Sequence, residues 1–97
     1  MEHGAHCKFK HRSNDEKRNL INRINRIEGQ LRGIKQMVEG DIYCDDILIQ
    51  ISAAANSMKS LGRILLNNHM KSCVKDELLK GNDSIIDEVV NSFSKLY

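Results

Sequence analysis

The sequence predicts an all-α fold, and three observations carry that prediction. Apolar residues recur at alternating steps of four and three along two long stretches, the spacing of one helix face. No proline occurs in the 97 residues, and no stretch alternates apolar with polar as a strand would. The second stretch reads as a helix of roughly 40 residues, which needs neighbours along its whole length. Three helices side by side in so short a chain leave apolar surface open, so an oligomer is expected.

Residues 1–12 read as a flexible tail carrying His3, His6, Cys7 and His11. These four are taken as an adventitious metal-binding tail, with Cys7 open to oxidation. Ser13 with Glu16 forms a capping-box signature and starts the first helix. Its apolar positions are Leu20, Ile24, Ile27, Leu31, Ile34 and Val38. Gly29 and Gly33 lie inside it, each costing ~1 kcal/mol relative to alanine, which points to close packing or a close backbone approach. Gly40 ends it. The second helix is expected from about Asp41 to about Lys80, with a stripe of Cys44, Ile47, Ile51, Ala54, Met58, Leu61 and Leu65. Small residues Ser52 to Ala55 permit tight crossing. Gly81 suits the position just past a helix end. Asn82 or Asp83 can cap a third helix, with Ile85, Ile86, Val89, Val90 and Phe93 facing inward. Residues 13–97 therefore form one all-α domain.

Composition bounds the function. Net charge is only +2, from 15 basic and 13 acidic residues. The basic residues gather in residues 8–35, and a basic half suits a polyanion partner. No signal peptide and no apolar run of membrane length are visible, so a cytoplasmic protein is expected. In that compartment the three cysteines are expected as reduced ligands or reactive thiols.

Three side chains point to specific chemistry: Cys44, His69 and Cys73. On a helix the four-residue step from His69 to Cys73 puts both on one face, about 6 Å apart along the axis. Cys44 lies 25 residues before His69. At ~1.5 Å per residue an unbroken helix separates them by roughly 37 Å, so one chain cannot close a three-ligand site. Two antiparallel copies can, with Cys44 of one meeting His69 and Cys73 of the other. Thiolate and imidazole suit Cu(I), Zn(II) and square-planar Ni(II), and a trigonal set suits Cu(I). A Cys–His catalytic pair is set aside, because no oxyanion loop, orienting third residue or substrate pocket accompanies it. On the first helix Arg18, Arg23, Arg26 and Arg32 stand among Asn22, Asn25 and Gln30, side chains suited to phosphates and base edges. A solvated charged face is the plain alternative.

Together these motifs resemble the copper-sensing repressors of the CsoR type, within a wider group that senses nickel, cobalt, formaldehyde or reactive sulfur. The resemblance runs from about Glu16 to Lys95. It rests on the run from Arg23 to Ile34 (RINRIEGQLRGI), on Tyr43-Cys44, on Gln50 to Ala53, and on His69 to Cys73 (HMKSC). It implies a three-helix subunit, an antiparallel dimer and a dimer-of-dimers tetramer. It implies Cu(I) ligands at Cys44, His69 and Cys73, supported by Tyr43 and Glu88. It also implies that the apo form binds operator DNA and that Cu(I) releases it, derepressing copper-resistance genes. Arg23 is the best-matched DNA contact. A second basic position of some copper sensors falls on Ser60, with Lys59 beside it. The extra histidine of nickel and cobalt members falls on Arg12, next to His11, which keeps a nickel reading open. His69 argues against the sulfur-sensing branch, and Cys73 against the formaldehyde branch. Other readings are a thiol-responsive repressor, a copper buffer without a DNA role and a helical assembly protein with incidental cysteines.

Overall fold

The computed structural model describes residues 12–96. They form α1 (Asn14–Glu39), α2 (Cys44–His69), a π-helical turn (Met70–Val74), α3 (Lys75–Leu79) and α4 (Ile85–Leu96). α2, the π turn and α3 follow without a break, so the chain makes three helical rods, and the described residues contain no strand. His3, His6, Cys7 and His11 lie outside the described residues. Two compact units emerge, Ser13–Leu61 and residues from Gly62 onward, and their boundary falls inside α2 rather than at a linker.

In the first unit α1 starts as its sequence predicts. Ser13 is extended (φ −63°, ψ 160°), and its side chain accepts the Glu16 N–H at 3.1 Å. That bond satisfies one of the amides left open at a helix start, and Asp15 and Glu16 complement the dipole there. Gly40 caps the far end, as its place in the sequence predicts. Gly40 has φ −89°, and the left-handed residue is Asp41, at φ 54°. The Asp41 N–H bonds the Val38 carbonyl at 3.2 Å and the Ile42 N–H bonds the Met37 carbonyl at 3.0 Å. This is the Schellman pattern, displaced one residue past the glycine. The turn uses residues 41–43, so α2 begins at Cys44 rather than Asp41.

The apolar stripes also divide. Leu20 and Ile27 are 7% and 6% exposed, whereas Leu31 and Val38 are 55% and 58% exposed. Ile34 is half-buried and Ile24 exposed. On α2, Ala54 and Leu61 are buried and Ile47 half-buried, whereas Cys44, Ile51, Met58 and Leu65 are exposed. Each stripe is thus two rows of seven-residue period, one turned inward and one outward. Cys44 opens the outward row. Gly29 and Gly33 are not packing sites among the described residues: a Cβ on Gly33 would meet nothing there within 4 Å, and one on Gly29 only the Arg32 Nη2 at 3.7 Å.

In the second unit Val74 and Ile85 are fully buried, and the π turn packs against α4. Gly62 lets the end of α4 approach α2, because a Cβ there would run into the Leu96 side chain. Gly81 is left-handed (φ +86°) as its position predicts. Its N–H bonds the Leu78 carbonyl at 3.0 Å, and the Asn82 N–H bonds the Glu77 carbonyl at 2.9 Å, a second Schellman closure. The Glu77 side chain is buried, and Asn82 Nδ2 donates to its carboxylate at 2.7 Å. The Asn82 side chain therefore braces this turn, and α4 begins two residues after Asp83.

A non-glycine residue in the left-handed region carries a steric cost of roughly 1–2 kcal/mol, part of which glycine returns as chain entropy. Asp41→Gly should therefore raise stability by about 0.5–1 kcal/mol in urea unfolding. An unchanged or lowered midpoint would show that the Asp41 side chain stabilises the turn.

Candidate metal centre and basic face

Cys44 is the first residue of α2 and His69 the last. Cys73 lies in the π turn, four residues beyond. Cys44 is an exposed free thiol, and His69 and Cys73 are half-buried. Among the described residues no three His, Cys, Asp or Glu side chains come together where a metal ion could sit.

The π turn has a local cause and a local effect. The Lys75 N–H reaches the Met70 carbonyl, the i→i+5 bond that defines π winding. The Ser72 hydroxyl donates to the Asn68 carbonyl at 2.8 Å, so that acceptor keeps a partner where the regular ladder shifts. In an α-helix four residues overshoot one full turn by about 40°. A wider turn reduces the overshoot, so His69 and Cys73 are brought closer to alignment on one face.

Cys73 is disulfide-bonded. A sulfur shared in a disulfide carries no thiolate charge, so Cys73 can serve as a ligand only after reduction.

Tyr43 is exposed in the turn before α2, where its carbonyl accepts the Asp46 and Ile47 N–H groups at 3.1 and 3.2 Å. Glu88 is half-buried in the first turn of α4. The sequence reading missed Val74 and Glu77. Val74 is the residue after Cys73 and is fully buried, so displacement of Cys73 is felt in the core of its unit. Glu77 follows Cys73 by four residues. Its signal in the sequence was Asn82, a short amide just past the helix-ending glycine.

The basic residues of α1 do not share one face. Arg18 pairs with Asp15 at 3.3 Å, an exposed contact worth little. Arg32 lies over Gly29. Arg23 donates its Nε–H to Asn19 Oδ1 at 3.1 Å. Arg23 and Arg26 meet in one recess with Ile27, Gln30, Ser57 and Ser60. Lys59 is exposed and does not line it. Ser57 and Ser60 were legible as an i, i+3 pair on one face of α2, but no charge marked them.

Residues 16–95 match the family model described as a metal-sensitive transcriptional repressor. The chain belongs to that family. It is 44% identical over 95 residues to the copper-sensing transcriptional repressor CsoR of Bacillus subtilis, covering 97% of this chain and 94% of the relative. Its fold is similar to the crystal structure of the copper-sensing repressor CsoR with Cu(I) from Geobacillus thermodenitrificans, with TM-score 0.83, 35% identity, and 90% and 92% of the two chains covered. It is also similar to the nickel-responsive transcriptional regulator InrS, with TM-score 0.73, 27% identity, and 93% and 99% covered. Metal-sensitive repressors are regulators rather than enzymes, in line with setting aside the Cys–His catalytic pair. No helix among the described residues is long and apolar enough to cross a membrane.

The two described cysteines should differ in reactivity. Iodoacetamide followed by mass spectrometry should label Cys44 in air-purified protein, and Cys73 only after a reductant. Labelling of Cys73 without reductant would contradict its disulfide state.

Proposed function

We propose that the chain is a Cu(I)-responsive transcriptional repressor of the cytoplasm, working as a homotetramer built from antiparallel dimers. The observation that carries the proposal is the position of Cys44. It opens the outward apolar row of α2, while His69 and Cys73 stand at and beyond the other end of that helix. A second copy that covers the outward rows in antiparallel sense meets Cys44 with the opposite end of its own α2. Cys44 of one subunit, with His69 and Cys73 of its neighbour, then supplies two thiolates and one imidazole.

Cu(I) suits that set as a soft ion content with few ligands. Arg18, Arg23, Arg26, Arg32 and Lys59 provide the cationic side chains for operator phosphates in the apo form. Drawing Cys73 toward Cys44 pulls on the π turn, which packs against α4, so strain at the ligand passes into the helix that bears Glu88. Glu88 and Tyr43, the residue before Cys44, are assigned the relay of that strain. DNA and metal then oppose each other by a coupling of ~1–3 kcal/mol, felt equally by both ligands. The named copper sensors among the relatives support this reading. A nickel response is the second reading, favoured by the likeness to InrS.

Fluorescence anisotropy on the chain's upstream DNA, with reduced protein and without oxygen, tests the proposal. Tight apo binding that falls steeply with salt and is released by Cu(I), but not by Ni(II) or Zn(II), is the expected result. Release by Ni(II) alone would move the chain to the second reading. Cu(I) binding without DNA binding would leave a copper buffer. His69→Ala should abolish the Cu(I) response while sparing DNA binding, whereas a thiol-responsive sensor would keep its response.

Assembly is tested separately. Burying a leucine or methionine is worth about 1.5–3 kcal/mol, so Leu31→Glu and Met58→Glu should each shift sedimentation toward smaller species at micromolar concentration. Unchanged sedimentation in both variants would remove the outward rows from the interface.

A further inference from the structure

Asn82 sits where the segment bearing Cys73 gives way to α4, and it is bonded in both directions. Backward, its N–H donates to the Glu77 carbonyl at 2.9 Å, and its Nδ2 donates to the Glu77 carboxylate at 2.7 Å. Forward, its Oδ1 accepts the Ser84 hydroxyl at 2.6 Å, and its carbonyl accepts the Ile85 N–H at 3.4 Å. Chemistry fixes the orientation of this amide. An ionised carboxylate only accepts, so the amide nitrogen must face Glu77; the oxygen is left for Ser84, whose hydroxyl must then donate. Lys80 Nζ lies 3.7 Å from the other carboxylate oxygen.

Glu77 is the charged side chain that is buried among the described residues, at 3% exposed. A buried carboxylate is costly without its hydrogen bonds, so Glu77 and Asn82 move together rather than part. Glu77 also stands four residues beyond Cys73, neighbours on one helix face. The helical backbone of the π turn and α3 runs from one to the other without a break. The π turn packs against α4 as well, with Val74 and Ile85 fully buried. That apolar contact has no direction and tolerates sliding. Hydrogen bonds weaken steeply as their angle departs from straight, so the path through Glu77, Asn82 and Ser84 tolerates much less.

From these bonds we infer that Asn82 is a positioning residue, which couples the placement of Cys73 to that of α4 through the Glu77 carboxylate. Its side chain does more than close the turn. The two Schellman bonds are made by the main chain and survive loss of the side chain. That a metal is what displaces Cys73 rests on the proposed function; the coupling itself does not.

The test is hydrogen exchange by mass spectrometry on the full-length reduced protein, with residues 70–80 and 85–96 followed separately. Cys73 is perturbed in two ways: by Cu(I) without oxygen, and, with no metal, by iodoacetamide after Cys44 has been blocked in air. In wild-type protein each perturbation should change exchange rates in both segments, by about tenfold in α4. In Asn82→Ala the change within 70–80 should persist, and the change in α4 should fall below about twofold. Glu77→Gln keeps an acceptor for the Asn82 amide and should retain the wild-type response, which a general loss of stability would not allow. Circular dichroism should show wild-type helix content in both variants. Should Asn82→Ala lose helix content, Ser84→Ala decides in its place, because it cuts the forward bond at an exposed hydroxyl and should likewise reduce the α4 response. If iodoacetamide reaches α4 but Cu(I) changes neither segment, the copper reading fails and the coupling stands. An α4 response as large in the uncoupling variant as in wild type, or none in wild type to either perturbation, overturns the inference.

Discussion

An unbroken helix of 26 residues runs from Cys44 to His69, and most of this chain's behaviour depends on it. A helix is stiff because each turn is bonded to the next, and folding it back on itself would orphan backbone groups at the bend. Among the described residues no trio of metal-capable side chains comes together. The same helix carries two apolar rows, of which only one is buried, so its surface needs cover. Cys44 is the first member of the uncovered row. On the proposed reading, a second copy placed by hydrophobic burial is thereby placed for ligation as well.

Stiffness gives way at one point, and it does so next to His69. The π turn widens the helix between His69 and Cys73, the two proposed ligands that stand four residues apart. Ser72 limits the cost by bonding the Asn68 carbonyl. Val74, one residue from Cys73, is among the most buried side chains of the chain, as is Ile85 at the start of α4. A segment with an irregular ladder and a buried anchor can move only by taking its neighbour along. The disulfide state of Cys73 acts on the same segment, because it decides whether a thiolate exists there at all.

Capping chemistry was legible in the residues because it is local. The Ser13 and Glu16 pair and the Gly81 turn appear where their spacing places them. Gly40 closes α1 as its place predicts, but only the backbone angles and hydrogen-bond register show that Asp41 takes the left-handed position. The apolar stripes were found, but their division into rows was not. Spacing of four and three fits a single wide face and two adjacent rows equally well, and burial alone separates them. Cys44, His69 and Cys73 stood out by residue type. Ser57, Ser60 and Val74 did not, since their roles come from what lies opposite them across a helix pair or beneath them in a core. The disulfide of Cys73 was unreadable for the same reason: nothing in residues 69–73 says which sulfur approaches.

The division of α1 and α2 into rows has a consequence for how separate events coexist on one small unit. Apolar residues turn one way from the Leu20–Ile27 row and the Arg23–Arg26 recess turns the other. A neighbour that covers the outward row leaves Arg23 and Arg26 uncovered, so one short helix offers an apolar face and a cationic face at the same time.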